Sequence, residues 1–90
     1  MAPSFHWVTD PSHGWLVVPS QSVEASGFAP SPASYTDPSR RVAYLEQDCD
    51  APGFLAAIGV PRETARRWPV RVVLRFDRGL PRWSRRADAG

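Results

Sequence analysis

The chain predicts an α+β fold: one small domain with an antiparallel sheet of about five strands and two helices on one face, in the order ββαββαβ. Three observations lead there. The tetrapeptide Thr-Asp-Pro-Ser occurs twice, at residues 9–12 and 36–39, each time between segments able to form strands. A hydrophobic share of 42% in 90 residues supports one modest core rather than two. The stretch 70–76 alternates cleanly, with Val70, Val72, Leu74 and Phe76 on one strand face and Arg71, Val73 and Arg75 on the other.

Both copies of the tetrapeptide read as turns, because Asp accepts backbone hydrogen bonds at the first position and Pro presets φ at the second. Gly14 is expected to supply the positive φ that returns the first turn to a strand. Two hairpins follow, residues 4–9 with 14–18 and residues 33–36 with 41–47. Between them, Ser20 is placed to cap a short helix through Ala25, and Gly27 to stop it. Residues 27–34, rich in Gly, Pro, Ser and Ala, read as a surface loop.

After the second hairpin, Asp50 is placed as an N-cap and Pro52 lies in the first turn, where its missing N–H costs nothing. Phe54, Leu55 and Ile58 then share a helical face, and Gly59 ends the helix. Pro61 opens a second short helical stretch that Pro69 must close, since the residue before a proline is pushed out of the α region. The last strand covers residues 70–76. The domain is expected to span residues 1–83, with 84–90 an arginine-rich disordered tail.

Charge is unevenly distributed behind a net value of +2. Residues 1–60 hold Arg40 and Arg41 against six acids, whereas residues 61–90 hold nine arginines against Glu63, Asp77 and Asp88. All eleven basic residues are arginine, which removes every mechanism that needs a lysine, including the P-loop lysine and Schiff-base chemistry. The single cysteine makes no internal disulfide, and no apolar run approaches the roughly 18 residues of a membrane span, so a cytoplasmic protein with no membrane association is expected.

The residues that suggest chemistry are Tyr44-Leu45-Glu46-Gln47-Asp48-Cys49-Asp50, at the junction of strand and helix. On a strand, Glu46 and Asp48 face the same way about 7 Å apart. The run from Asp48 resembles the start of a calcium loop but has Pro52 and Gly59 where that loop requires an oxygen ligand and a glutamate. Cys49 reads as a small buried hydrophobe, because neighbouring acids oppose thiolate formation. His6 and His13 could approach Glu46 and Asp48 across the sheet, making these four the metal candidates; no metal, cofactor or catalytic residue is assigned to them.

Trp7 and Trp15 are expected to pair across the first hairpin, while Trp83, beside Arg82, Arg85 and Arg86, is expected to be exposed. Arg75, Arg78, Arg82, Trp83, Arg85 and Arg86 are therefore the candidate binding residues. Arginine and tryptophan together suit an acidic protein partner, and they also suit nucleic acid. Oligomeric state stays open.

The motifs Asp10-Pro11-Ser12-His13-Gly14-Trp15-Leu16-Val17-Val18-Pro19, Tyr44 to Asp50 with Phe54 behind, and Leu80-Pro81-Arg82-Trp83 resemble a family of short proteins of uncharacterised function carried by bacterial phages, plasmids and other mobile elements. The resemblance covers residues 5–83 and departs at Ser12, Gln47 and Trp83, where glycine, glutamate and tyrosine are usual. It implies an accessory role such as regulation or interference with a host system, and it transfers no catalytic residue. The expected function is accordingly a non-enzymatic module acting through a protein partner, with nucleic-acid binding through the C-terminal third, or metal-assisted hydrolysis at the acidic junction, as alternatives.

Overall fold

The computed structural model describes residues 5–83. The expected disordered tail at 84–90, with Arg85 and Arg86, lies outside the described residues. Strands β1 (His6–Thr9), β2 (Gly14–Pro19), β3 (Tyr35–Asp37), β4 (Val42–Glu46) and β5 (Val70–Val72) form one sheet in the order β3-β4-β2-β1-β5. Helices α1 (Ser20–Ser26), α2 (Asp50–Ala57) and α3 (Arg62–Ala65) complete an α+β domain.

Two corrections concern the last strand. The sheet is mixed, because β5 runs parallel to β1 while the other pairs are antiparallel. The helices carry the chain across one face and deliver it back in the direction of β1, which a helical crossover permits and a tight hairpin does not. The strand also stops at Val72 instead of reaching Phe76. Val73 and Phe76 turn under the second face, whereas Leu74 is 95% exposed, so residues 70–76 do not share the single face that alternation predicted.

Both faces of the sheet are covered. On the helical side, Leu16, Val18, Ala43 and Leu45 pack with Val23, Ala51, Phe54, Leu55 and Ala65, so all three helices, rather than two, lie on this face. On the other side, Val8, Trp15, Val17 and Tyr35 close around Phe76. Register puts Trp7 opposite Leu16 and Trp15 opposite Val8, so the two tryptophans occupy opposite faces and do not pair. The Trp7 indole N–H instead donates to the carbonyl of Ala65 at 2.8 Å, fastening α3 to β1.

The segment from Val73 to Trp83 works as a strap. It leaves the β5 edge, crosses the second face through Phe76, and reaches the opposite edge, where Tyr35 bridges to Arg82. Backbone bonds from Thr36 N–H to Pro81 at 2.8 Å and from Trp83 N–H to Ser34 at 2.7 Å fasten it there. Trp83 is only 5% exposed and belongs to the helical core, correcting its expected surface position.

Turn and cap chemistry matches expectation in part. Asp10 Oδ1 accepts from the N–H groups of Ser12 and His13, and Asp37 Oδ1 from Ser39 Oγ and Arg40 N–H. Gly27 ends α1 in the left-handed region at φ 76°. Gly14, however, does not have a positive φ; a Cβ there would strike the side-chain amide of Gln47, so close approach is what the glycine allows. The residue that turns left-handed in the second hairpin is Arg41, at φ 57°. Ser20 makes no cap bond and is itself the first residue of α1, following Pro19.

Asp50 makes no cap bond either. Its carboxylate is buried and accepts from Ser31 N–H at 3.1 Å, Ser31 Oγ at 2.9 Å and Ser34 Oγ at 2.5 Å. Ser34 Oγ in turn accepts from Glu46 N–H at 3.0 Å. The carboxylate thus fastens the 27–34 loop to α2 and to the end of β4. A negative charge in the first helical turn remains favourable against the helix dipole.

Candidate functional site

The outer edge of β5 carries no neighbouring strand among the described residues. Trp7 N–H donates to the carbonyl of Pro69, and Val73 N–H donates to the carbonyl of Thr9. Because the N–H and C=O of a trans peptide point in opposite directions, these bonds turn Val70 N–H and Val72 C=O away from β1. Alternation along a parallel ladder turns Val70 C=O and Val72 N–H outward as well. Four backbone groups are therefore presented on this edge.

Apolar side chains accompany them. Val70, Val72 and Leu74 are 55%, 79% and 95% exposed, the large hydrophobic residues that the fold leaves uncovered among the described residues. Val70 pairs with Trp7 and Val72 with Thr9, so both point to the helical side. A groove of about 350 Å³ opens beside them, with Trp7, Leu55 and Ala65 at its base and Arg62, Arg66 and Asp48 on its walls. Arg71 pairs with Val8 and points to the other face.

Arginine surrounds this edge on both sides. Arg62, Arg66, Arg67, Arg71 and Arg75 are all exposed, and none makes an ion pair among the described residues. Among the described residues, ion pairs form elsewhere, between Arg40 and Asp37 and between Arg78 and Asp10. On the second face, Arg40, Arg71 and Arg75 border a cleft of about 210 Å³ with Tyr44, Asp37 and Asp77. Burial, followed by the charge of Asp37, raises the Tyr44 pKa above its ordinary value.

The expected binding residues that lie among the described ones, Arg75, Arg78, Arg82 and Trp83, occupy separate places. Arg78 is engaged at the first hairpin tip, 3.2 Å from Asp10 Oδ2 and 3.2 Å from His13 Nδ1, with its guanidinium over the Trp15 ring. Arg82 donates to the Pro32 carbonyl at 2.9 Å and lies over the Tyr35 ring. Trp83 is in the core, which leaves Arg75 as the exposed member near β5.

The acidic junction is a turn rather than a continued strand. β4 ends at Glu46, and Glu46 Oε1 accepts from Asp48 N–H at 2.7 Å. Cys49 is exposed, not buried as expected. His6 lies on β1 and Glu46 on β4, on opposite sides of β2, while His13 is at the hairpin tip. No three His, Cys, Asp or Glu side chains among the described residues are grouped to hold a metal ion.

Comparison with protein-family models, curated proteins and solved structures finds no match to this chain. No helix among the described residues is long and apolar enough to cross a membrane.

The β5 edge was not reached from the sequence, although its arginines were visible there. The missed signal is the density of positive charge at residues 62–75, where five arginines face one acid, Glu63.

Proposed function

We propose that this chain is a non-enzymatic binding module that acts through a protein partner, docking at the β5 edge and the arginines beside it. The observation that carries the reading is the coincidence of four outward backbone groups, three exposed aliphatic side chains and five arginines that make no ion pair among the described residues. An exposed strand with aliphatic side chains is a liability unless something covers it.

A mobile-element context and the cytoplasm as place of action belong to the same proposal, the first resting on the resemblance at residues 10–19 and 44–50 and the second on composition alone. Nucleic-acid binding is the second reading, favoured by the same arginines. Its aromatic component is weaker than composition implied, because Trp15 and Trp83 are buried and Trp7 and Trp68 half-buried. A mobility shift that weakens steeply with salt would support nucleic-acid binding.

Capture from bacterial lysate on the immobilised full chain tests the leading reading. A protein retained by the native chain and by the E46Q variant, and lost with V72E/R75E, supports it. Retention unaffected by V72E/R75E, or no retained protein, contradicts it.

A further inference from the structure

We infer that the partner supplies an extended, acidic segment that adds to the outer edge of β5 as a sixth strand. This rests on the protein-partner reading above and specifies its chemistry. The outward N–H and C=O groups of Val70 and Val72 are spaced to bond a strand, which needs both donors and acceptors in alternation. An added strand would place alternate side chains on the helical side, against Val70, Val72 and the groove beside Trp7. Its remaining side chains would fall on the face that bears Arg71.

Charge decides what those side chains are. Arginine exceeds acid in both clefts, with Arg40, Arg71 and Arg75 against Asp37 and Asp77 on one face and Arg62 and Arg66 against Asp48 on the other, so each face favours an added carboxylate. The predicted segment alternates aliphatic and acidic residues.

Charge also decides against a second copy of this chain as occupant. Residues 62–75 hold five arginines and Glu63, and Asp48 and Asp77 line the clefts beside them, so, the Asp37–Arg40 pair apart, pairing two β5 strands would gather ten arginines against six acids. Nucleic acid is the poorer occupant because the exposed hydrophobic residues at this edge are aliphatic and offer no ring for base stacking.

The test is titration of the isotopically labelled full chain with a short peptide alternating Glu and Val. The controls are the same peptide with Lys for Glu, and one N-methylated at alternate backbone nitrogens. Slowed exchange of the Val70 and Val72 amides by the Glu peptide is expected, with binding about tenfold or more weaker for either control and for V72P. V72P removes an outward donor and leaves the β1 ladder intact. The N-methylated peptide examines the same bonds without altering the protein.

Equal binding of the Lys or N-methylated peptide overturns the inference, as does protection of Val70 and Val72 by self-association without peptide. Oligonucleotide binding without peptide binding overturns it too. A lysate partner lost with V72E/R75E but retained by V72P overturns strand addition and leaves the protein-partner reading standing.

Discussion

The Phe76 ring lies nearly flat on the Trp15 indole, with centroids 3.9 Å apart and planes 16° from parallel. Tyr35 and Tyr44 close on the same ring at 5.2 and 5.1 Å, so one strap residue sits at the centre of the aromatic cluster on the second face. Removing it opens a cavity between strap and sheet. F76A is expected to lower stability by about 3–5 kcal/mol, with loss of the near-ultraviolet dichroism of Trp15; F76L should lose much less. Chemical denaturation of the two variants checks this order.

Asp10 joins the first hairpin tip to the strap, and its ionisation governs acid stability there. Its carboxylate is only 3% exposed, and loss of water acts most strongly, raising the pKa. The N–H groups of His13, Ser12 and Phe76 and the charge of Arg78 outweigh that effect and lower the pKa from 3.8 to about 2. A depressed carboxylate pKa stabilises the fold above the unfolded value and loses that contribution as pH falls through the folded one. The native chain should therefore weaken between pH 3.8 and about 2, whereas D10N should be less stable at neutral pH and show a flatter profile over that window. Thermal melts across the window measure both.

The buried Asp50 node predicts a penalty that an exposed helix cap would not show. Ser34 Oγ both donates to Asp50 and accepts from Glu46 N–H, so S34A leaves the buried carboxylate and the half-buried N–H each short of a partner. A loss of about 1–3 kcal/mol is expected. D50A should exceed D50N, because asparagine retains a carbonyl oxygen that can accept from the serines. Urea titration of the three variants supplies the comparison.

Gly53 lies inside α2 under the Phe28 ring, whose nearest carbon is 2.5 Å from where a Cβ would sit. Helix propensity alone would make G53A stabilising by up to about 1 kcal/mol. Displacement of Phe28 should reverse the sign and destabilise by about 1–3 kcal/mol. A melting temperature for G53A above that of the native chain would contradict this packing.

Local chemistry was legible in the sequence where it depends on neighbours along the chain. The two Asp-Pro turns, the left-handed Gly27 and the apolar face of Phe54 and Leu55 all follow from such signals. Long-range partners were not legible. Asp50 has the residue type and position of a cap, and only the fold shows that Ser31 and Ser34 arrive from the preceding loop to take its carboxylate. Alternation at residues 70–76 marked extended chain but not the point at which the strap leaves the sheet, because Phe76 follows Trp15 and Tyr35 rather than its own neighbours. The arginines near β5 were visible as composition; the open edge that gives them a shared use belongs to topology.

Residue-resolved amide exchange tests the central claim most directly. In the free chain, Arg71, turned inward in the β1–β5 ladder, should exchange slowly, while Val70 and Val72 exchange rapidly. Adding the alternating Glu and Val peptide should slow Val70 and Val72 and leave Arg71 unchanged. Binding of that peptide with Val70 and Val72 still exchanging rapidly would contradict the account.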